Sequence, residues 1–206
     1  GKHFAAITDP GKLGELILAS RAYKGGPVVR SALQLSPYVL LRPGELRAAR
    51  WDEFDLDAGV WIVPSARMKR SKEAKENGEP HIVPLSRQVI AILRDLKPYT
   101  ESTGLVFPGE RNRERPISEN SVRTALISLG YTSEIQTWHG FRATARTMLA
   151  ERLGVDGQVA DAQLAHAVPD ANGRSYNRTT FIEQRSEMMQ TWADYLDQLA
   201  DAVAKS

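Results

Sequence analysis

The 206-residue chain has no cysteine, which excludes a disulfide framework and thiolate metal sites and fits an intracellular protein. It also has no long apolar run. The best candidate, Pro37 to Leu41, stops at Arg42, far short of the ~20 residues a membrane-spanning helix needs. Lys2 and His3 lead into a short mixed segment rather than an apolar stretch, so nothing reads as a signal peptide. A large excess of either charge is missing too: 27 Lys and Arg stand against 25 Asp and Glu, a net charge of +2. There is no internal repeat and no low-complexity stretch. The apolar share of 42% and charged share of 25% are those of an ordinary globular protein, and the length suits one well-packed domain or at most two small ones. The chain begins on Gly rather than Met, as an excised piece would.

Charge is informative in its distribution. Arg67, Lys69, Arg70, Lys72 and Lys75 crowd one short run against the single acid Glu73, a local excess of four positive charges. Arg111, Arg113 and Arg115 form a second basic group in a loop-like stretch, whereas the tail from Glu183 is acid-rich. Such asymmetry suits a basic face for phosphates, although basic loops are often only solvated.

Apolar spacing predicts helices over Leu13–Tyr23 and Val28–Leu41, the second with Pro27 at its first turn and irregular around Pro37. A short helix opens at Pro43. Val60–Val63 and His81–Leu85 read as strands, joined by a basic excursion expected to be extended or hairpin-like. Helical periodicity returns from Ser86, from an N-cap at Ser118 through Leu129, over Trp138–Leu153, over Asp156–Ala165, and over Phe181–Ala202. The expected fold class is mainly α with a small antiparallel β-sheet or hairpin insert, in one domain over residues 1–206. Residues 181–206 form a C-terminal amphipathic helix carrying Met188, Met189, Trp192, Tyr195 and Leu196.

Six residues could carry chemistry. In Trp138-His139-Gly140-Phe141-Arg142, His139 and Arg142 share one face at the start of a helix, where backbone N–H groups favour an anion. Taken alone, the pair reads as a solvated helix start. Arg42, in Arg42-Pro43-Gly44-Glu45-Leu46, sits at a core edge and by itself reads as the partner of Glu45. Lys69 alone is surface charge, and His166 alone a helix-end cap. Tyr176, in Gly173-Arg174-Ser175-Tyr176-Asn177-Arg178, lacks the apolar neighbours of a core tyrosine. The four acids Asp52, Glu53, Asp55 and Asp57 lack the glycine and spacing of a calcium loop and read as a solvated turn.

The order Arg42, Lys69, His139, Arg142, His166, Tyr176, with these local contexts, resembles the tyrosine recombinases, specifically phage- and genomic-island-type integrases. The boxes that carry the resemblance are Arg42-Pro-Gly-Glu-Leu, His81-Ile-Val-Pro-Leu-Ser, His139-Gly-Phe-Arg-Ala-Thr, Leu164-Ala-His and Tyr176-Asn-Arg, and it runs from about Val28 to Leu196. Many members have Thr-Gly just before the first arginine, where this chain has Leu40-Leu41, which alters the turn and keeps the arginine. Lys69 and Lys72 compete for the family's hairpin lysine, and Lys69, which follows Arg-Met, is preferred.

The resemblance implies the integrase catalytic-domain fold, without the family's N-terminal DNA-binding domains. It implies site-specific cleavage and religation of DNA through a 3′-phosphotyrosine at Tyr176, integrating or excising a mobile element such as a prophage or genomic island. Arg42 and Arg142 would hold the phosphate with His166 as an added donor, His139 would handle the tyrosine's proton, and Lys69 would protonate the leaving oxygen. No cofactor and no metal is expected. The implied partners are double-stranded DNA attachment sites, further copies of the chain in a DNA synapse, and accessory DNA-bending or excision proteins, in the bacterial cytoplasm with no membrane role. Isolated, the domain is expected to be mostly monomeric. The competing readings are a type IB topoisomerase-like enzyme that relaxes DNA, a non-catalytic DNA-binding remnant of a mobile element, and, remotely, a helical protein-interaction domain.

Overall fold

A computed structural model describes residues 3–166 and 181–206, so Tyr176 lies outside the described residues. Among those residues the chain is mainly helical around one small sheet, the fold class expected from the sequence. Helix α1 spans Pro10–Arg21; the Asp9 side chain accepts the Lys12 N–H at 2.9 Å, and Pro10 takes the first helical position, where its missing N–H costs nothing. Helix α2 spans Pro27–Val39 and runs through Pro37, so the expected irregularity does not interrupt it. It ends at Leu40, whose backbone is left-handed (φ 57°). For a leucine that conformation costs roughly 1–2 kcal/mol, offset here by full burial of its side chain.

The sheet has three antiparallel strands in the order β1 (Phe54–Asp55), β2 (Val60–Val63) and β3 (His81–Pro84), with Trp61 opposite Val83 and Val63 opposite His81. Trp61 and Val63 face the core while Ile62 faces out, the two-residue alternation of a half-buried strand. The connection from β2 to β3 joins antiparallel neighbours, the hairpin-like alternative expected, and it is not plainly extended. It contains a 3₁₀ turn at Ser65–Arg67 and a short helix α4 at Lys72–Asn77, which Ser71 starts by accepting the Ala74 N–H. In the acid-rich stretch Asp52, Asp55 and Asp57 are exposed, as expected of a solvated turn, and Glu53 departs from it. Glu53 is buried against Arg67, Asp55 accepts the Ala58 N–H, and Asp57 pairs with Arg94.

Helix α3 covers Pro43–Arg47, α5 covers Arg87–Thr100 behind its Ser86 cap, and α6 covers Ser121–Ser128. The last starts later than expected because the Ser118 hydroxyl accepts the Asn120 N–H at 3.1 Å and closes a turn instead of capping a helix. Helices α7 (Gly140–Leu153), α8 (Gly157–Gln163) and α9 (Ile182–Ala204) complete the described elements. Helix α9 lies along α1, with Met188, Met189, Trp192, Leu196 and Ala200 buried. The approach is close: a Cβ on Gly14 would stand 2.4 Å from the Leu199 carbonyl oxygen, so α1 needs glycine there. No helix among the described residues is long and apolar enough to cross a membrane.

His81 faces inward from β3, its Nε2 lying 3.0 Å from the Gln163 carbonyl, which accepts its proton. Burial, reinforced by the Arg185 charge, pushes its pKa down to about 3. The unfolded chain protonates this imidazole near its ordinary value of 6.5, the folded chain only near 3. The stabilising contribution is therefore complete above pH 6.5 and falls away as the pH drops from 6.5 toward 3, by about 1.4 kcal/mol per unit. Denaturant titrations across that window should show the slope in the wild-type chain and a flatter profile in His81→Gln. An equally steep profile in the variant would assign the acid sensitivity elsewhere.

Candidate active site

Four separate stretches converge on an open cleft of about 640 Å³ lined by Arg42, Lys69, His139, Arg142, Arg146 and His166, among others. The first is the turn after α2. Arg42 is the N-cap of α3; its backbone N–H donates to Glu45 Oε1 at 3.0 Å and its guanidinium lies 3.6 Å from Glu45 Oε2. The pairing that the isolated motif predicts thus exists, and it holds Arg42 at the cleft wall rather than removing it.

Lys69 comes from the β2–β3 connection. Its neighbours explain its freedom. Arg67 grips buried Glu53 through two bonds, at 2.7 and 2.6 Å, and donates to the Glu45 carbonyl at 3.1 Å, tying the base of this connection to the Arg42 turn. Arg70 donates to the Ser65 hydroxyl and the Glu79 carbonyl. Two arginines of the basic run are therefore structural. Lys69 lines the cleft, and Lys72, exposed at the start of α4, does not.

His139 and Arg142 open α7, as their spacing predicts. Gly140 between them cannot carry a side chain, since a Cβ would lie 2.1 Å from the Ala5 carbonyl oxygen. The N-terminal segment that makes this contact also lays the Phe4 ring on His139, with centroids 4.3 Å apart. Arg142 is buried. It donates to the Leu40 carbonyl at 2.6 Å and to the Leu164 carbonyl at 2.9 Å, so the left-handed Leu40 turns its oxygen toward the second arginine. Burial, with Arg42 nearby, lowers the Arg142 pKa to about 10, which leaves it charged at neutral pH.

His166 follows α8, its backbone N–H donating to the Asp161 carbonyl at 3.1 Å. Its Nδ1 is 3.4 Å from Asp161 Oδ1. Burial and the Arg142 charge hold its pKa below the usual value, with Asp161 opposing them. The His139 pKa is lowered as well, by burial and then by Arg142, Arg42 and Lys69. At neutral pH His139 is thus predominantly an unprotonated base, among cations suited to a phosphate.

Residues 12–182 match the phage integrase family. The chain belongs to the phage integrase family. This integrase-family chain is 36% identical to the integrase of enterobacteria phage P4 over 203 residues, which are 95% of the chain and 46% of that protein. It is 35% identical to the prophage integrase IntA of Escherichia coli (strain K12) over 185 residues, 90% of the chain and 43% of that protein. It spans about half the length of these curated relatives, or a little less. Among solved structures, the integrase from mycobacterium phage Brujita superposes with a TM-score of 0.65 at 17% identity, covering 97% of this chain and 64% of that one. The lambda integrase catalytic core superposes at 0.54 with 18% identity, covering 85% of this chain and 98% of that one. At such identities the likeness is one of fold.

Five of the six candidate residues, Arg42, Lys69, His139, Arg142 and His166, therefore meet in one cleft of this integrase-family chain; Tyr176 lies outside the described residues. Sequence reading missed Phe4, Arg146 and Asp161. Arg146 follows Arg142 by one helical turn, a signal that puts it on the same face. Asp161 carries no such signal, because its partners lie on another helix and in the segment that follows its own.

Proposed function

We propose that residues 1–206 are the catalytic domain of a site-specific recombinase that cuts and rejoins DNA through a phosphotyrosine at Tyr176. The observation that carries this reading is the convergence of Arg42, Lys69, His139, Arg142 and His166 on one cationic cleft. Arg42 and Arg142 hold the non-bridging oxygens of a phosphodiester, and His166 supplies a further donor. The Tyr176 oxygen attacks phosphorus while its proton passes to His139. A free phenol, with a pKa near ~10, needs such a base and a positive field. The bond from phosphorus to the 5′-oxygen breaks, and Lys69 protonates the departing oxygen. Attack by a 5′-hydroxyl on the phosphotyrosine reverses the sequence and restores the backbone. Guanidinium groups provide the positive charge, so the reaction runs without a metal ion.

On this reading the substrate is a double-stranded attachment site and the setting is the bacterial cytoplasm. Strand exchange takes place among several copies of the chain in a synapse, with accessory DNA-bending or excision proteins. The solved complexes of lambda integrase, as a dimer on a core site and a tetramer on a Holliday junction, support DNA and self-association as the partners.

Covalent capture tests the proposal. Nicked duplexes bearing candidate attachment sequences should yield a denaturant-resistant protein–DNA adduct with the wild-type chain and none with Tyr176→Phe. An adduct that survives the substitution would assign the nucleophile to another residue. Absence of any adduct, from this chain and from the full-length protein alike, would favour the non-catalytic remnant.

A further inference from the structure

Among the described residues Asp161 is the one acid in direct contact with a cleft histidine, and it is itself held. Arg146 of α7 grips its carboxylate with Nε to Oδ1 at 2.8 Å and a terminal nitrogen to Oδ2 at 3.3 Å. The grip leaves Oδ1 3.4 Å from Nδ1 of His166, whose side chain is 45% exposed where it lines the cleft. The backbone adds a second tie, because the His166 N–H donates to the Asp161 carbonyl at 3.1 Å.

We infer that Asp161, clamped by Arg146, is a positioning residue that keeps the His166 proton on Nδ1 and sets how readily Nε2 takes up a second one. The inference rests on the reading of His166 as a phosphate donor. A carboxylate at Nδ1 favours the tautomer that donates to it, which leaves the opposite ring nitrogen, Nε2, as the site of further protonation. A neutral ring of that tautomer cannot donate from Nε2, so His166 serves the phosphate only as imidazolium. The groups that act on its charge come from every side. Arg142 and Arg146 project from α7 and Arg42 from the turn before α3; His139 lies at the start of α7, and Lys69 lines the same cleft. These cations and burial oppose protonation, and Asp161 is the acid that counters them. A bound phosphodiester adds negative charge and tips the balance toward the imidazolium. Arg146 limits the effect by sharing the carboxylate, which keeps His166 responsive rather than permanently charged.

The test is to follow the histidine ring resonances of the 206-residue chain with pH. Its four histidines make assignment by single substitution practicable. Asp161→Asn should lower the proton affinity of His166 several-fold, moving its titration to lower pH. Arg146→Gln should move it the opposite way, because the carboxylate is then free to draw a proton onto the ring. Loosened packing would instead carry both variants toward the ordinary value of 6.5. His81, buried and held by Gln163 just beyond Asp161, reports local integrity, since it should stay silent through the neutral range in a folded variant. With His81 silent, a His166 titration unmoved or raised by Asp161→Asn overturns the inference. If His81 joins the titration in that variant, Arg146→Gln decides: a shift past 6.5 with His81 silent upholds the inference, and a shift that stops at or below 6.5 overturns it.

Strand cleavage gives the second readout. The Asp161→Asn rate should fall below wild type at alkaline pH and recover as the pH is lowered, whereas Asp161→Glu should restore the wild-type profile. Ring shifts as expected, in a wild-type chain that cleaves no DNA, would sink the recombinase reading and leave the positioning role standing.

Discussion

Replacing Arg142 with lysine is expected to slow strand cleavage by on the order of 10²–10³-fold although the positive charge is kept. The reason lies in how its guanidinium is used. Two of its five N–H groups are committed to backbone carbonyls, Leu40 on one side and Leu164 on the other. These carbonyls belong to the turn that delivers Arg42 and to the segment that delivers His166. Arg142 is therefore the brace between the other two, and on the proposed reading it binds the phosphate as well. A lysine ammonium, with three donors on a single atom, cannot span both carbonyls and still face a phosphate. Each carbonyl left buried without a partner costs about 1–3 kcal/mol, so a lower melting temperature should accompany the slower rate. Single-turnover cleavage of a nicked substrate, together with thermal unfolding, measures both. A lysine variant that cleaves within about threefold of wild type would mean that charge alone suffices and that the fork geometry is idle, contrary to the transition-state role assigned here.

The same residue shows where sequence reading ends. The pair His139 and Arg142 is legible because one helical turn separates them, and periodicity alone puts both at the start of α7. Helices α1, α2, α5, α7 and α9 and strand β2 are legible for the same reason: buried positions recur at the period of the element, whereas β3 is legible as a short apolar run. The contacts from Arg142 to Leu40 and Leu164 are not, since they join positions 102 and 22 residues away and depend on tertiary packing. Leu40 misleads further, because leucine is a poor marker of a left-handed turn, and only burial of its side chain makes it acceptable there. In the basic run, charge counting treats Arg67, Lys69, Arg70 and Lys72 alike. Packing separates them: Glu53 and the Glu45 carbonyl claim Arg67, the connection itself claims Arg70, and Lys69 is left at the cleft. The acid that claims Arg67 belongs to the stretch that looked like a solvated turn. Its burial becomes legible only once its cationic partner is known.

Helix α9 gives the largest expected effect on stability. Its amphipathic pattern is equally consistent with a segment that covers the chain's own core and one that docks on a neighbouring copy. In this structure Trp192 is fully buried among the chain's own residues, and its indole N–H donates to the Pro37 carbonyl at 2.8 Å. That bond also serves α2 at the proline that stands inside it. Trp192→Ala should therefore cost about 3–5 kcal/mol, from lost burial, the cavity left behind and the orphaned carbonyl. Domains of this kind are stable by only ~5–15 kcal/mol, so one substitution removes a large part of the total. Ending the chain after Arg178 removes the whole helix, including Arg185, whose guanidinium donates to Gln163 at 2.9 Å and to the Ile82 carbonyl. That shortened chain should lose cooperative unfolding altogether. Denaturant unfolding at several protein concentrations separates the two possibilities for α9. A Trp192→Ala loss that is the same at every concentration is the result expected of a helix packed within its own chain. A loss confined to high concentration would show that α9 stabilises an assembly of copies instead, because only association makes apparent stability depend on protein concentration.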